Sequence, residues 1–269
     1  MESPGTPEGT TVTRERTEPK LKSLETLSGY TITATDGDIG KVHDFLFDDE
    51  SWGVRYIVVD TGRWLPGKLV LIAPQAVSLP DDKAKTLPIR LTMEQIRNSP
   101  GQEKDMPVSR RYQRELNAYY GWSPYWTFGG FYNAAPPLQP SEPPSEILEE
   151  GEEPEEEGAD PHLRSMGEIT GYIVQANDGE TGHAGDFIVD LEGWIIRYME
   201  VDTRKWLPGK RKLFPVQWIV EISWSEYRVY VDSTTDIIKG SPSHDPSVPL
   251  TRVQEDALYR YYGQQGYWR

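Results

Sequence analysis

Carboxylates are the first residues in this chain that could do chemistry. Asp36-Gly37-Asp38 and Asp178-Gly179-Glu180 each set two acids around a glycine, as cation-binding loops do. A calcium loop of the EF-hand kind also needs further oxygen ligands in register, a central glycine and a glutamate at its twelfth position. Neither run supplies these, whereas Asp-Gly provides the positive φ of a tight hairpin turn, which is the expectation here. Asp60-Thr61 and Asp202-Thr203 stand at strand ends, where a general base would need an acid, a nucleophile or a histidine beside it. A carboxylate capping its own loop, with Arg63 or Arg204 as a partner, fits better. His43, His162, His183 and His244 have no metal-ligand spacing. Gly29, Gly37, Gly40 and Gly67 form no phosphate-cradling pattern. With no cysteine, thiol chemistry and zinc–thiolate sites are excluded. The expectation is a protein with no catalytic residue, no cofactor and no metal, and hence not an enzyme.

Binding is the better prospect. Trp64-Leu65-Pro66-Gly67-Lys68 recurs as Trp206-Leu207-Pro208-Gly209-Lys210. A Trp-Leu pair on a loop could be an apolar anchor for a protein partner, which makes Trp64, Leu65, Pro66, Trp206, Leu207 and Pro208 the candidate contact residues. The competing reading is that each tryptophan folds back to plug its own domain, since large aromatics are mostly buried.

That recurrence belongs to a longer one. Residue n matches residue n + 142, giving 23 identities over 50 ungapped positions between 28–77 and 170–219. Asp44-Phe45 meets Asp186-Phe187, Arg55-Tyr56 meets Arg197-Tyr198, and Tyr125-Trp126 meets Tyr267-Trp268. Each copy reads as strands first and helix last. GYTITAT (29–35), residues 40–47, VRYIVVDT (54–61), LVLIAP (69–74) and TLPIRL (86–91) are strand-like, with YRVYVD (227–232) as the late strand of the second copy. Thr92 with Gln95 has the form of a capping box, and Ser109 and Thr251 are candidate N-caps of a last helix. Tyr112, Leu116 and Tyr119 give that helix an apolar stripe. Short strands at regular spacing predict a mainly β protein: two small antiparallel barrels, each followed by a short helical segment.

Between the copies, residues 127–160 hold ten acids, six prolines and no Lys or Arg. Such a stretch repels itself and buries little, so it reads as an acidic linker. The expected division is a tail at 1–20, domains at 21–126 and 161–269, and the linker at 127–160. The net charge of −15 disfavours direct nucleic-acid binding. No apolar run suggests a secretory signal or a membrane-spanning segment, so a cytoplasmic protein is expected, with a position at the periphery of the inner membrane as the alternative.

The run GYTITATDGDIGKVHDFLFDDESWGVRYIVVDT, continued by WLPGK, LVLIAP and the YYG…YW tail, resembles the PRC-barrel family. That family includes the cytoplasmic barrel of the photosynthetic reaction-centre H subunit and the C-terminal domain of the ribosome maturation factor RimM. The resemblance covers both copies, and implies a non-catalytic barrel that binds another protein. The H subunit's membrane helix and the RNA-associated domain of RimM have no counterpart in the sequence. A bivalent protein-binding or assembly adaptor is the expectation. An accessory role in a photosynthetic or other membrane electron-transfer complex and a RimM-like ribosome-assembly role are its alternatives. Packing of one barrel on its sibling, and homo-oligomerisation, both remain open at this stage.

Overall fold

A computed structural model describes residues 20–101, 107–128, 159–203 and 211–268. The first half runs β1 (Leu21–Ser23), α1 (Leu24–Leu27), β2 (Thr31–Ala34), β3 (Gly37–Asp48), β4 (Val54–Asp60), β5 (Val70–Ile72), β6 (Thr86–Pro88), α2 (Met93–Asn98) and α3 (Arg110–Tyr120). The second follows the same order: β7 (Leu163–Ser165), α4 (Met166–Ile169), β8 (Ile173–Ala176), β9 (Gly179–Asp190), β10 (Ile195–Asp202) and β11 (Arg211–Pro215). It continues through β12 (Ile219–Ser223), β13 (Arg228–Val231), α5 (Thr235–Gly240), β14 (Ser243–His244) and α6 (Arg252–Tyr261). The protein is mainly β, with two sheets ordered β5-β4-β3-β2-β6 and β12-β13-β8-β9-β10-β11-β14.

One expectation needs correction. The sheets are not wholly antiparallel: β6 lies parallel to β2, and β13 parallel to β8. The long connection from β5 returns the chain to the far side of the sheet in the same direction as β2. Among the described residues closure of either ladder is not detected. After β5 the chain turns sharply at Pro74–Ala76, where Ala76 N–H donates to Ala73 O and Val77 N–H to Pro74 O. Those donors are spent on the turn, and Pro74 has none, so the corner is bridged by chain rather than by ladder. Beyond it the pairing is reduced to isolated bridges, Val77 with Ile89 and Asp81 with Thr86, and Ser78 N–H donates to Pro88 O.

β3 bends over β4, and β9 over β10, at a kink held by Gly40 in the one and Gly182 in the other, at φ +155° and +153°. A Cβ at Gly40 would run into the carbonyl oxygen of Asp60, and one at Gly182 would come within 2.5 Å of that of Asp202. Only glycine fits so close a backbone approach.

The halves exchange their first strands. β1 pairs with β9 of the second sheet, and β7 with β3 of the first. The relation is two-fold: Val54 N–H donates to Trp194 O at 2.7 Å, and Ile196 N–H to Trp52 O at 2.8 Å. Between them Gly53 bridges to Ile195, its own counterpart at n + 142. Phe47 packs on Phe187 with centroids 5.5 Å apart, and one continuous core runs through both halves. β4 is buried on both faces except at its last residue, which accounts for its unbroken VRYIVVD.

Candidate functional site

The loop 62–68 is built on polar capping. Asp60 accepts from Gly62 N–H at 3.0 Å and Thr61 Oγ1 donates to Leu65 O at 3.2 Å. Asp60 therefore serves its own loop, and Arg63 is not its partner. Lys68 Nζ donates to the carbonyls of Ile96, Arg97 and Ser99 at 2.8–3.1 Å, satisfying the C-terminal end of α2. Burial holds its ammonium below the usual lysine range. Trp64 and Leu65 are half-buried against the core, and Pro66 is exposed. The guanidinium of Arg97 lies 5.8 Å from the Trp64 ring. A cavity of about 30 Å³ under the loop has room for a water at most. Trp206, Leu207 and Pro208 lie outside the described residues. In that half Lys212 takes over the capping, donating to Ser241 O and to Ser243 Oγ.

The Asp-Gly acids serve the fold. Asp36 accepts from the backbone N–H of Met93 at 2.8 Å, and Asp178 from that of Thr235 at 2.7 Å, so each hairpin turn also caps a short helix, α2 in the first half and α5 in the second. That backbone hydrogen bond keeps the Asp178 carboxyl below the usual aspartate range. Asp38 accepts from Thr33 Oγ1, and Glu180 pairs with Arg228. Among the described residues no three His, Asp or Glu are placed to hold a metal ion. His162 instead meets Asp49 at 3.0 Å and Glu50 at 3.7 Å, and the Asp49 hydrogen bond raises its pKa above the histidine norm.

Of the matched pairs in the sequence, Asp44 and Asp186 join the two halves, while the Arg–Tyr pairs work within each half. Asp44 accepts from Ser165 Oγ at 2.5 Å and from Gly167 N–H at 3.0 Å. Asp186 does the same for Ser23 Oγ at 2.5 Å and Glu25 N–H at 2.9 Å. Each half thus caps the first helix of the other. Arg55 stacks on Tyr125, 3.8 Å from its centroid, and Arg197 on Tyr267 at 3.9 Å, fastening the aromatic tail to the sheet. Behind each tyrosine lies one buried carboxylate. Asp160 meets Arg110 at 2.7 Å, Gln113 at 2.8 Å and the Tyr125 hydroxyl at 3.1 Å. Glu255 meets Arg252 at 2.8 Å, Tyr198 at 2.7 Å and Tyr267 at 3.0 Å. Sequence reasoning missed this, placing Asp160 in the linker with the other acids. The carboxylate-to-amide exchange between Glu255 and Gln113, its repeat mate, was the available signal.

The tips of the hairpins ahead of β6 and β13 hold the exchanged strands in two ways. In the first half Asp82 pairs with Lys22 of β1 at 2.6 Å and accepts from the Tyr30 hydroxyl at 3.1 Å. In the second, at the same positions, the Arg164 guanidinium of β7 lies 4.3 Å from the Trp224 ring centroid, and Tyr172 packs edge-on to Tyr227. A groove of about 350 Å³ at the seam is lined by Leu79, Pro80, Arg90, Leu191 and Trp194.

Residues 20–92 match the PRC-barrel domain, and so span β1 to the N-cap of α2. No curated protein matches the chain. No helix among the described residues is long and apolar enough to cross a membrane. A PRC-barrel domain is thus found within the first half, at residues 20–92, and it suggests a protein-interaction module.

Proposed function

We propose that the protein is a non-enzymatic docking or assembly adaptor in which residues 161–269 form a second PRC-like barrel, joined to the first through the acidic linker 127–160. The reciprocal strand exchange is the observation that carries this reading. Two loosely tethered barrels would gain avidity only through linker-set effective concentration. Here the halves share a core, so two equivalent surfaces stand at a fixed two-fold spacing, suited to a partner with two-fold or repeated sites. The carboxylates that could have done chemistry are engaged in caps and ion pairs, which supports a binding role over a catalytic one. The docking elements are the loop 62–68, where Trp64, Leu65 and the exposed Pro66 lie, and its counterpart with Trp206, Leu207 and Pro208.

The test is capture from the native host's lysate, membranes included, with the full chain as bait. A near-stoichiometric protein partner is expected. Its retention should fall when Trp64-Leu65 or Trp206-Leu207 is replaced by Ala-Ser, and vanish when both are. No partner above background would overturn the adaptor reading. A partner held equally well by the double replacement would move the contact off these loops.

A further inference from the structure

We propose that the hairpin tip of the second half, formed by Trp224 and Tyr227, is a docking surface whose occupant is the proline-rich stretch 136–144 of the same chain. Tyr227 is 65% exposed and Trp224 39%, while Val220 on the strand leading to the tip is 70% exposed. Their counterparts are Lys85, Asp82 and Ser78. The backbone is the same, with Lys85 at φ +52° and Tyr227 at φ +54°. The latch onto the exchanged strand is also the same, Asp82 on Lys22 in one half and Trp224 on Arg164 in the other. An ion pair therefore suffices for the structural task, and the exposed aromatic surface is surplus to it.

Exposed Trp and Tyr faces are the surface on which proline-rich extended segments dock, because such segments are preformed and lose little entropy. This chain carries one. Pro136, Pro137, Pro140, Pro143 and Pro144 include two frames of Pro-x-x-Pro spacing, 137–140 and 140–143. Its reach is set by the residues that flank it. Ala159, which pairs with Ser109, lies five positions before Arg164, the residue stacked on Trp224. Fifteen Cα–Cα steps lead from Pro144 to Ala159 and span up to about 50 Å. A segment so tethered is present at the tip at an effective concentration of the order of millimolar. The inference is independent of which external partner the adaptor binds.

The absence of cysteine makes the test direct. In the full chain, Ser141→Cys is combined with Ser225→Cys at this tip, or with Lys83→Cys at the matching, exposed position of the other tip. Mild oxidation is then followed by mass spectrometry of the intact chain. An intramolecular disulfide should form at least tenfold faster with position 225. That excess should disappear in Trp224→Asp/Tyr227→Lys, which installs the first half's latch, and in Pro140→Ala/Pro143→Ala. Equal rates at the two tips would overturn the proposal, as would an excess that survives both changes. Faster disulfide formation between chains would assign the tip to a second copy instead. Matching thermal midpoints of the variants would show that lost cross-linking is not lost folding.

Discussion

Where the first half carries Gln113, the second carries Glu255, and the two halves reach the same buried carboxylate by different routes. In the second, one helix supplies both charged partners, Arg252 and Glu255, and Tyr198 of β10 and Tyr267 of the tail complete the cluster within the same half. In the first, the helix offers only Arg110 and an amide, so the acid arrives from Asp160 on the chain that leads into the second half. The fold's requirement is a negative charge beneath the Arg–Tyr stack, whichever segment brings it. The difference has a consequence for assembly: the first cluster is completed only when the chain returning from the linker docks on α3, whereas the second completes itself.

The largest effect is expected where the halves agree. Gly40→Ala forces a methyl group into a backbone carbonyl, with no flexible side chain to yield. It should cost on the order of 4–5 kcal/mol of unfolding free energy, at the exceptional end for a point change. Gly182→Ala, with the wider gap, should cost less. Chemical denaturation of the two variants ranks them, and equal or negligible losses would mean that the kink opens without strain.

Next comes the carboxylate itself. Asp160→Asn leaves Arg110 facing a buried site without its ion, a loss of about 3 kcal/mol. Gln113→Glu in the same chain installs the second half's arrangement and should recover most of it. Glu255→Gln should be as damaging as Asp160→Asn, with no neighbouring residue to rescue it. If Gln113→Glu fails to rescue, the two clusters are not interchangeable and the comparison breaks.

Much of this fold was legible in one dimension. Alternation marked β2 and the continuous run marked β4, while Thr92-x-x-Gln95 and Thr251 announced helix starts that the structure realises as caps. The strand exchange was not legible. β1 and β7 are three residues each, LKS and LRS, too short to carry a period, and their partners lie some 165 and 115 residues away. β12 escaped because residues 77–81, the first-half counterpart of IVEIS, make only isolated bridges. Of the candidate contacts, Trp64 was legible as a residue but not as a position, since half-burial depends on Arg97 and the core beneath it. Asp160 looked like one more linker acid because Arg110, Gln113 and Tyr125 are 35 to 50 residues upstream.

The smallest effect concerns a charge that only one half has. Glu200 in β10 is wholly buried, pairs with Arg211 at 2.7 Å and leaves its second oxygen without a partner; its counterpart is Val58. Burial, with Asp186 and Glu25 nearby, outweighs Arg211 and pushes its carboxyl up to about 7. A carboxyl whose folded pKa is raised holds its proton longer folded than unfolded. Its ionisation therefore costs nothing below about pH 4.5, then erodes stability as pH rises towards 7, and the loss levels off above that. The full loss is at most about 3 kcal/mol on the scale of 1.36 kcal/mol per pKa unit. Glu200→Gln keeps an acceptor for Arg211 and cannot ionise, so its stability relative to the parent chain should climb across pH 4.5–7 and stay level at pH 8. Glu200→Val, which copies the first half, should remove the same slope while leaving Arg211 to Glu25, 3.7 Å away. Parallel pH profiles for parent and variants would mean that Arg211 holds Glu200 ionised throughout, and that the extra charge is neutral to the fold.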